Sequence, residues 1–363
     1  MKNTFGTGVS VTLFGESHGA EIGAVLDGLA PGIVIDEDFI RARLSLRRPY
    51  GKISTARVEA DEFRIVSGVF EGKTTGTPLC ILIPNTNTRS HDYQKGLPRP
   101  GHADYTAECK YHGFQDYRGG GHFSGRLTAP LVAAGAIAMS VLKEKGITLG
   151  THIASLSTIR DRAFSDPVKD VELLNERLFP VLDEQAAARM QTEIESAASE
   201  GDSVGGVLET LVLGMPAGVG EPWFDSVESL LSHALFSIPG IKGVEFGAGF
   251  AISTMRGSRA NDPLCLREGR VETTTNHNGG INGGITNGMP ICFRCAVKPT
   301  PSIFCEQETV DLDARKNATL SLQGRHDPAI VHRARAVVDS VTALVLCDLL
   351  AQRYGTDFPS VPF

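Results

Sequence analysis

The chain has 363 residues, 41% of them hydrophobic and 21% charged, and its formal net charge is −7. This composition is typical of a globular protein and excludes disordered, collagen-like and membrane-spanning classes. The negative charge also argues against a general nucleic-acid binder. Glycine is over-represented, with 40 residues where average usage gives about 25. The excess is concentrated at 118–125 and 279–288, and glycine-rich loops let the backbone approach a ligand closely.

The first half of the chain alternates short strands with helices. Apolar residues at every second position predict strands around 8–14, 22–27, 65–70 and 79–83. Asp36 is expected to open a short helix after the second strand. Residues 84–125 show little periodicity, and a segment of that length is usually functional or disordered. A helix is predicted from about 126 to 145, with Ser124 as a candidate cap and Gly146 beyond its end.

The second half of the chain begins after a predicted insert of one strand and helices. The insert includes an amphipathic helix around 182–198. A strand around 207–213 and a helix opened by Asp225-Ser226 follow. The last helix is predicted from about Pro328 to Tyr354, with Asp327 as its N-cap.

The second half repeats the element order of the first. The turn Gly214–Gly218 echoes Gly28–Gly32, and Thr286–Cys292 echoes Thr75–Cys80. Chance similarity between glycine-rich turns is the alternative explanation. We predict an α+β fold in which hairpins pack on two long, apolar central helices. The expected organisation is one domain over 1–363, with pseudo-equivalent halves at about 1–146 and 201–355 and an insert at about 147–200.

The cysteines predict a location but no metal site. Seven cysteines and an N-terminus without an apolar leader are typical of a reducing compartment, so we expect a cytoplasmic protein. Cys292 and Cys295 have the spacing of some zinc and redox motifs. They lie in Ile291–Val297, which alternates like a strand, and residues three apart on a strand face opposite sides. Packing roles are therefore expected for both thiols.

Arginine, histidine and glycine concentrate in a few loops, which predicts a site for anionic small molecules. The segment Arg118–Arg126 places glycines and two guanidiniums before a helix N-terminus, where unpaired N–H groups bind anions. Lys298–Ser302 adds a cation and two hydroxyls at the end of a strand. His18 and His102 lie in glycine-flanked loops, where each could act as a general acid or base. A purely structural, hydrogen-bonded role is the alternative for each histidine.

Eight motifs, in this order along the chain, resemble the chorismate synthase family. They are Phe14-Gly-Glu-Ser-His-Gly19, Arg47-Arg-Pro49, Arg99-Pro-Gly-His-Ala-Asp104, Asp116-Tyr-Arg-Gly-Gly-Gly121, Lys242-Gly-Val-Glu-Phe-Gly247, Asn276-His-Asn-Gly-Gly-Ile281, Lys298-Pro-Thr300 and Gly324-Arg-His-Asp-Pro328. The resemblance implies a lyase of aromatic amino acid biosynthesis that converts 5-enolpyruvylshikimate 3-phosphate to chorismate by 1,4-anti elimination of phosphate. It also implies reduced FMN as cofactor, NADPH as a possible reductant, a homotetramer, and a β-α-β sandwich with helices between two antiparallel sheets.

The resemblance also implies roles for individual residues. His18 matches the family's acid near the departing phosphate, and His102 matches the histidine beside the flavin. Asp327 matches the carboxylate near flavin N5, which helps to move the substrate's ring proton by way of the flavin. The implied substrate contacts are Arg47, Arg48, Arg126 and Arg325. The implied cofactor contacts are Arg47, His122, Phe123, Ser124, Gly283, Lys298, Pro299, Thr300, Pro301, Ser302 and Arg325.

Two positions depart from the family pattern. Many members have Arg-Ser-Ser-Ala-Arg where this chain has His122-Phe-Ser-Gly-Arg126. Of two basic residues that the family associates with the nicotinamide cofactor, Arg47 matches one, and near the other position only Lys52 is basic. A flavin- and NADPH-dependent oxidoreductase and a non-catalytic anion-binding module are the alternative functions.

Overall fold

A computed structural model describes residues 2–55, 60–88, 95–322 and 327–360. Within them the helices are α1 (Glu37–Ser45), α2 (Asp104–Tyr111), α3 (Thr128–Glu144), α4 (Pro167–Glu176), α5 (Glu184–Ser199), α6 (Val227–Phe236), α7 (Gly257–Ala260) and α8 (Val331–Tyr354). The strands are β1 (Thr4–Phe5), β2 (Ser10–Gly15), β3 (Glu21–Asp27), β4 (Arg64–Ser67), β5 (Val69–Phe70), β6 (Lys73–Thr74), β7 (Leu79–Pro84), β8 (Thr148–Leu156), β9 (Ile159–Arg160), β10 (Gly206–Leu213), β11 (Ile241–Phe246), β12 (Leu264–Arg267), β13 (Arg270–Thr273), β14 (Ile281–Asn282), β15 (Ile285–Thr286), β16 (Ile291–Val297), β17 (Gln307–Asp311) and β18 (Lys316–Leu320). Mixed helix and strand content, predicted from the sequence, is confirmed.

Most of the longer strands belong to two five-stranded antiparallel sheets. The first has the order β1-β2-β3-β7-β4 and the second the order β11-β16-β10-β8-β9. Alternating burial explains why these sequences form strands: in β7, Leu79, Ile81 and Ile83 are buried and the residues between them are less so. In β16 the same alternation buries Cys295 and leaves Cys292 on the opposite face, as predicted.

Helices α3 and α8 pack against each other in the core. Helix α3 also contacts β3 and β7 of the first sheet, and α8 contacts β8 and β10 of the second. The two helices meet closely where Gly135 faces Ser340, because a Cβ on Gly135 would lie only 2.2 Å from the Ser340 Cβ. Arg118–Glu144 is apolar and long enough to span a membrane, but 83% of its most apolar window is buried inside the protein.

The two echoing glycine turns make the same hydrogen bonds. Thr74 Oγ1 accepts from the Ile33 N–H at 2.9 Å, and Thr286 Oγ1 accepts from the Val219 N–H at 2.9 Å. Each hydroxyl also donates to a carbonyl oxygen of its turn at 2.6 Å. The structure thus matches Thr286 with Thr74, one residue before the Thr75 that the sequence pairs with it.

Several helix boundaries are confirmed, and others need correction. The Asp36 side chain caps α1 by accepting from the Phe39 N–H at 2.9 Å, and Gly146 follows α3 with φ +74°. Ser124 caps a 3-10 turn ahead of α3 rather than α3 itself. Helix α2 lies in a segment where no helix was expected; only Ala107 of its residues is buried, so it leaves little apolar periodicity to detect.

The predicted cap of the last helix is wrong. Helix α8 begins at Val331, and among the described residues Ile330 at its N-cap makes no side-chain capping bond. Asp327 is three residues too early. Its carboxylate instead accepts from the Thr55 N–H at 2.9 Å and pairs with Arg333. These partners, one of them distant in sequence, replace the local N–H groups that a cap would bind.

Candidate active site

A cavity of about 900 Å³ is bounded by α3, α8, the start of the first sheet and several loops. This volume lies within the range of small-molecule sites, roughly 300–1,000 Å³. Most residues that the sequence predicts for a site line it. They are Arg47, Arg48, His102, His122, Phe123, Ser124, Arg126, Lys298, Pro299, Thr300, Pro301, Ser302 and Asp327. Folding thus brings together five separate stretches of the sequence, at 47–48, 102, 122–126, 298–302 and 327.

Three predicted site residues are not part of this group. Arg325 lies outside the described residues. His18 and Gly283 are described, and neither is among the residues that line the cavity. The His18 ring packs on Gly119, where a Cβ would come within 2.6 Å of Nε2. Gly283 lies in the turn between β14 and β15. In a single chain these two positions are therefore separate from the cavity.

The three described arginines that are predicted to bind substrate share one acceptor segment, Ala60–Asp61. The Asp61 carboxylate accepts from Nη1 of Arg47 at 2.6 Å and from Nη1 of Arg126. Arg48 donates to the carbonyl oxygen of Ala60. The Asp61 side chain is 1% exposed and that of Arg126 is 4% exposed. These ion pairs are thus shielded from solvent and from screening by salt.

Burial has the largest electrostatic effect on this cluster. It lowers the pKa of Arg47 to about 10, with Asp61 opposing it and the charges of Arg333 and Arg126 adding to it. Burial also acts to raise the pKa of Asp61, but the attraction of Arg47 and Arg126 outweighs it and leaves that pKa below its usual range. Arg47 is charged and Asp61 is ionised at neutral pH.

A carboxylate orients the cavity histidine, His102. Its Nδ1 lies 2.7 Å from Asp104 Oδ1, and Asp104 is the first residue of α2. Burial acts to raise the pKa of Asp104, but hydrogen bonds from Arg99 and His102 hold it far below its usual range. An ionised carboxylate can only accept, so Asp104 favours the tautomer with the proton on Nδ1, beside which Arg99 Nη2 also lies at 3.1 Å. In that tautomer Nε2, which lies beside Gly120, is the acceptor nitrogen.

The glycine-rich turn places His122 and Phe123 in the cavity wall. Gly121 has φ +52° there, and a Cβ would lie 2.0 Å from the Asp116 carbonyl oxygen. Only glycine fits that contact. His122 Nδ1 donates to the carbonyl oxygen of Gly15 at 2.8 Å, which joins the turn to the loop that carries His18.

Both oxygens of the Asp327 carboxylate are engaged. Oδ1 accepts from the Thr55 N–H at 2.9 Å, and Oδ2 pairs with Arg333 Nη1. Arg333 also donates from Nε to the Arg47 carbonyl oxygen at 2.7 Å. Arg333 therefore connects the predicted catalytic carboxylate to the main chain of Arg47, a predicted substrate contact.

The cavity also fits the flavin that the resemblance implies. Apolar side chains line part of it, namely Leu13, Leu131, Val337, Val341 and Leu344. Thr300 Oγ1 is buried in the wall without a hydrogen-bond partner in the described part of the chain, and such a hydroxyl is unsatisfied until a ligand or water binds it. Apolar walls, cations and an unpaired hydroxyl suit a flat ring system that carries a phosphate.

Sequence reasoning missed four parts of this cavity. They are Asp61, Asp104, Arg333 and the segment 237–242, all of which line it or contact a lining residue. Asp104 could have been predicted from the sequence, because it ends the motif that contains His102. No local pattern marks Asp61 or Arg333; their importance comes from partners distant in sequence. Among the described residues no group of His, Cys, Asp and Glu could hold a metal ion.

Comparison with known proteins gives one consistent result. The family model described as "Chorismate synthase" matches residues 9–351. The chorismate synthase of Thermococcus gammatolerans is 47% identical over 352 residues, 95% of this chain and 96% of that protein. The chorismate synthase of Dehalococcoides mccartyi is 46% identical over 353 residues, 96% of each chain. A solved structure titled "Crystal Structure of Chorismate Synthase" superposes with a TM-score of 0.76 at 29% identity, covering 96% of this chain and 94% of that one. The chain therefore belongs to the chorismate synthase family.

Proposed function

We propose that the cavity carries out the family's reaction, the elimination of phosphate and a ring proton from 5-enolpyruvylshikimate 3-phosphate to give chorismate. The observation that carries the proposal is the convergence of Arg47, Arg48, Arg126, His102 and Asp327 on one cavity. A substrate with two carboxylates and a phosphate needs several fixed cations, and guanidiniums bind such groups in pairs of hydrogen bonds.

Each polar residue has a proposed task. The three arginines bind the substrate's anionic groups, and Arg325 is assigned to the same task by the resemblance. His102 exchanges protons through Nε2, because Asp104 holds Nδ1. Asp327 helps to move the proton that leaves the ring. His18 remains assigned to the departing phosphate by the resemblance, through the loop that His122 joins to the cavity wall.

The residues proposed to hold reduced FMN are His122, Phe123, Ser124, Lys298, Pro299, Thr300, Pro301 and Ser302, with Gly283 and Arg325 added by resemblance. When bound, the flavin supplies the electron density that eases cleavage of the carbon–oxygen bond. Thr300 Oγ1, which is buried without a hydrogen-bond partner among the described residues, and Lys298 are the groups proposed to bind its polar atoms. Near the second basic position that the family associates with the nicotinamide cofactor only Lys52 is basic, which favours an external source of reduced flavin over direct use of NADPH.

The arginine assignment is tested by Arg126→Gln, with Arg41→Gln as the matched control on the exposed face of α1. The Arg126 variant should lose at least a hundredfold in kcat/KM with reduced FMN supplied, while its FMN affinity stays within a factor of three. The control should match wild type. Retained kcat/KM in the Arg126 variant would remove this arginine from substrate binding.

We also infer the family's architecture and location. The packing of α3 on the first sheet and α8 on the second supports a β-α-β sandwich, and the matched turns at Thr74 and Thr286 support internal duplication. Superposing residues 22–83 on 207–297 tests the duplication, which fails if the glycine turns do not coincide. The seven free thiols agree with a cytoplasmic location.

We propose that the protein forms a homotetramer and that exposed apolar side chains contribute to its interfaces. Trp223 is 84%, Phe224 89% and Phe250 85% exposed in the single chain, and large exposed apolar groups mark interfaces. Light scattering on a Trp223→Ser/Phe224→Ser variant should show smaller assemblies than wild type. An unchanged tetramer would place the interface elsewhere, and a wild-type monomer would contradict the proposal.

A further inference from the structure

The Asp61 carboxylate joins two guanidiniums that come from different parts of the chain. Arg47 follows α1 and Arg126 precedes α3, and Nη1 of each lies against Asp61. The Nη2 atoms are held by main-chain carbonyl oxygens, Gly125 at 3.3 Å for Arg47 and Pro84 at 3.1 Å for Arg126. The Nε atoms also donate, from Arg47 to Thr128 Oγ1 at 3.3 Å and from Arg126 to Asn85 Oδ1 at 3.0 Å. Each guanidinium is thus fixed at all three nitrogens, and Asp61 is the charged group that both share.

Two buried guanidiniums that contact the same carboxylate require a negative counter-charge. Mutual repulsion disfavours placing both arginines in one low-dielectric site. The described carboxylates in the cavity wall are Asp61 and Asp327, and Asp327 is bound to Arg333 and Thr55. Asp61 therefore supplies the counter-charge for the arginine pair.

The backbone conformation of Asp61 also indicates that the surrounding structure holds this residue in place. Asp61 has φ +52°, in the left-handed region where Asp and Asn are the side chains best tolerated after glycine. The residue is also 4% exposed. An uncommon backbone conformation costs free energy, and it persists only where the surrounding structure determines it.

We propose that Asp61 is a positioning residue for the substrate arginines. It holds Arg47 and Arg126 side by side before substrate arrives, so that substrate binding does not have to bring two like charges together. Through the Ala60 carbonyl oxygen, the same segment also fixes Arg48. This inference rests on the proposed function, because it takes these arginines as the groups that bind the substrate's anions.

The test is Asp61→Asn, which suits the left-handed backbone, keeps an acceptor oxygen and removes the charge. A clamp formed in advance acts on ground and transition states alike, so its loss appears in KM. We expect KM to rise at least tenfold, kcat to stay within about threefold and FMN affinity to be unchanged. Asp38→Asn, at a side chain that is 97% exposed, is the matched control and should match wild type.

A binding measurement separates this inference from the proposed function. Inorganic phosphate, titrated calorimetrically into the protein without turnover, should bind at least fivefold more weakly to the Asp61→Asn variant than to wild type. If the wild-type protein binds phosphate but forms no chorismate, the proposed function is wrong. The difference in phosphate affinity between wild type and variant would still support the positioning role of Asp61. Phosphate affinity that is equal or higher in the variant would overturn the positioning role, and higher affinity would identify Asp61 as a competitor of the substrate.

A second variant covers a failure to fold. If Asp61→Asn does not give a cooperative melting transition, Asp61→Glu keeps the charge and shifts the carboxylate by one methylene. We expect it to raise KM at least threefold at nearly constant kcat. A loss that appears only in kcat, in proportion to the unfolded fraction, would show that Asp61 is merely structural.

Discussion

Asp327 pairs with Arg333 across the start of α8, the helix it was expected to cap. Asp327→Asn keeps an acceptor for the Thr55 N–H but loses the charge that holds Arg333. We expect turnover with supplied reduced FMN to fall about a hundredfold, as for loss of a general base. The free energy of unfolding should fall by about 1.5–3 kcal/mol, the value of one hydrogen bond to a charged group.

Asp36→Asn is the matched control for that substitution. Asp36 is a true N-cap, and Asn caps helices about as well as Asp, so both activity and stability should stay near wild type. An Asp327→Asn variant that stays fully active but melts much earlier would reduce Asp327 to a structural role.

His102 and Asp104 form a pair, so the losses of turnover caused by replacing each residue should not be additive. Asp104→Asn should lower turnover roughly tenfold to a hundredfold, because the imidazole loses the acceptor that fixes its tautomer. His102→Ala should cost about a hundredfold or more. The double variant should be no slower than His102→Ala, because both changes remove one function. Losses that multiply in the steady-state rates would show that the two residues act independently.

Gly135 allows the central helices α3 and α8 to pack closely, because it has no side chain. In Gly135→Ala the new Cβ would lie 2.2 Å from the Ser340 Cβ, so the helices must separate. We expect the free energy of unfolding in a denaturant titration to fall by about 2 kcal/mol or more, from overpacking. Gly257→Ala has open space at its Cβ and should change stability by less than about 0.5 kcal/mol. Equal stability of the two variants would contradict the observed helix contact.

His152 predicts a pH-dependent part of the stability. Burial acts to lower its pKa, but hydrogen bonds to Asp161 at 2.7 Å and Glu209 at 3.0 Å outweigh burial and raise it. A raised folded pKa means that this stabilisation is full below the unfolded value of about 6.5 and is lost as pH rises through the folded value. The stability difference between wild type and His152→Gln should therefore shrink as pH rises above about 6.5. A difference that stays constant or grows would refute the charged-histidine assignment.

Local features of the fold could be predicted from the sequence. The Asp36 cap and the glycine after α3 depend on contacts within a few residues, and the alternation in β16 reads directly as a strand with its two cysteines on opposite faces. Asp327 shows where such reasoning ends. Its sequence context, followed by proline and an apolar helix, is that of a cap, and a contact with Thr55 nevertheless redirects the carboxylate.

The candidate site divides in the same way. Arg47, Arg126 and His102 were found because arginine, histidine and glycine cluster in loops and match a family's motifs. Asp61 was missed because its partners lie 14 and 65 residues away and its own neighbourhood resembles an ordinary surface turn. Gly283 was predicted from the family resemblance alone, and His18 from its glycine-flanked loop and its motif. Neither kind of evidence gives the distance from the residue to the cavity of a single chain.

The most direct test of the account is an anaerobic incubation with photoreduced FMN and 5-enolpyruvylshikimate 3-phosphate, following chorismate and phosphate together. Equal amounts of both products are expected over many turnovers of each flavin, with no net consumption of NADPH when it is added. Net NADPH consumption in proportion to substrate would indicate an oxidoreductase instead. Substrate that binds and releases no phosphate would contradict the central claim.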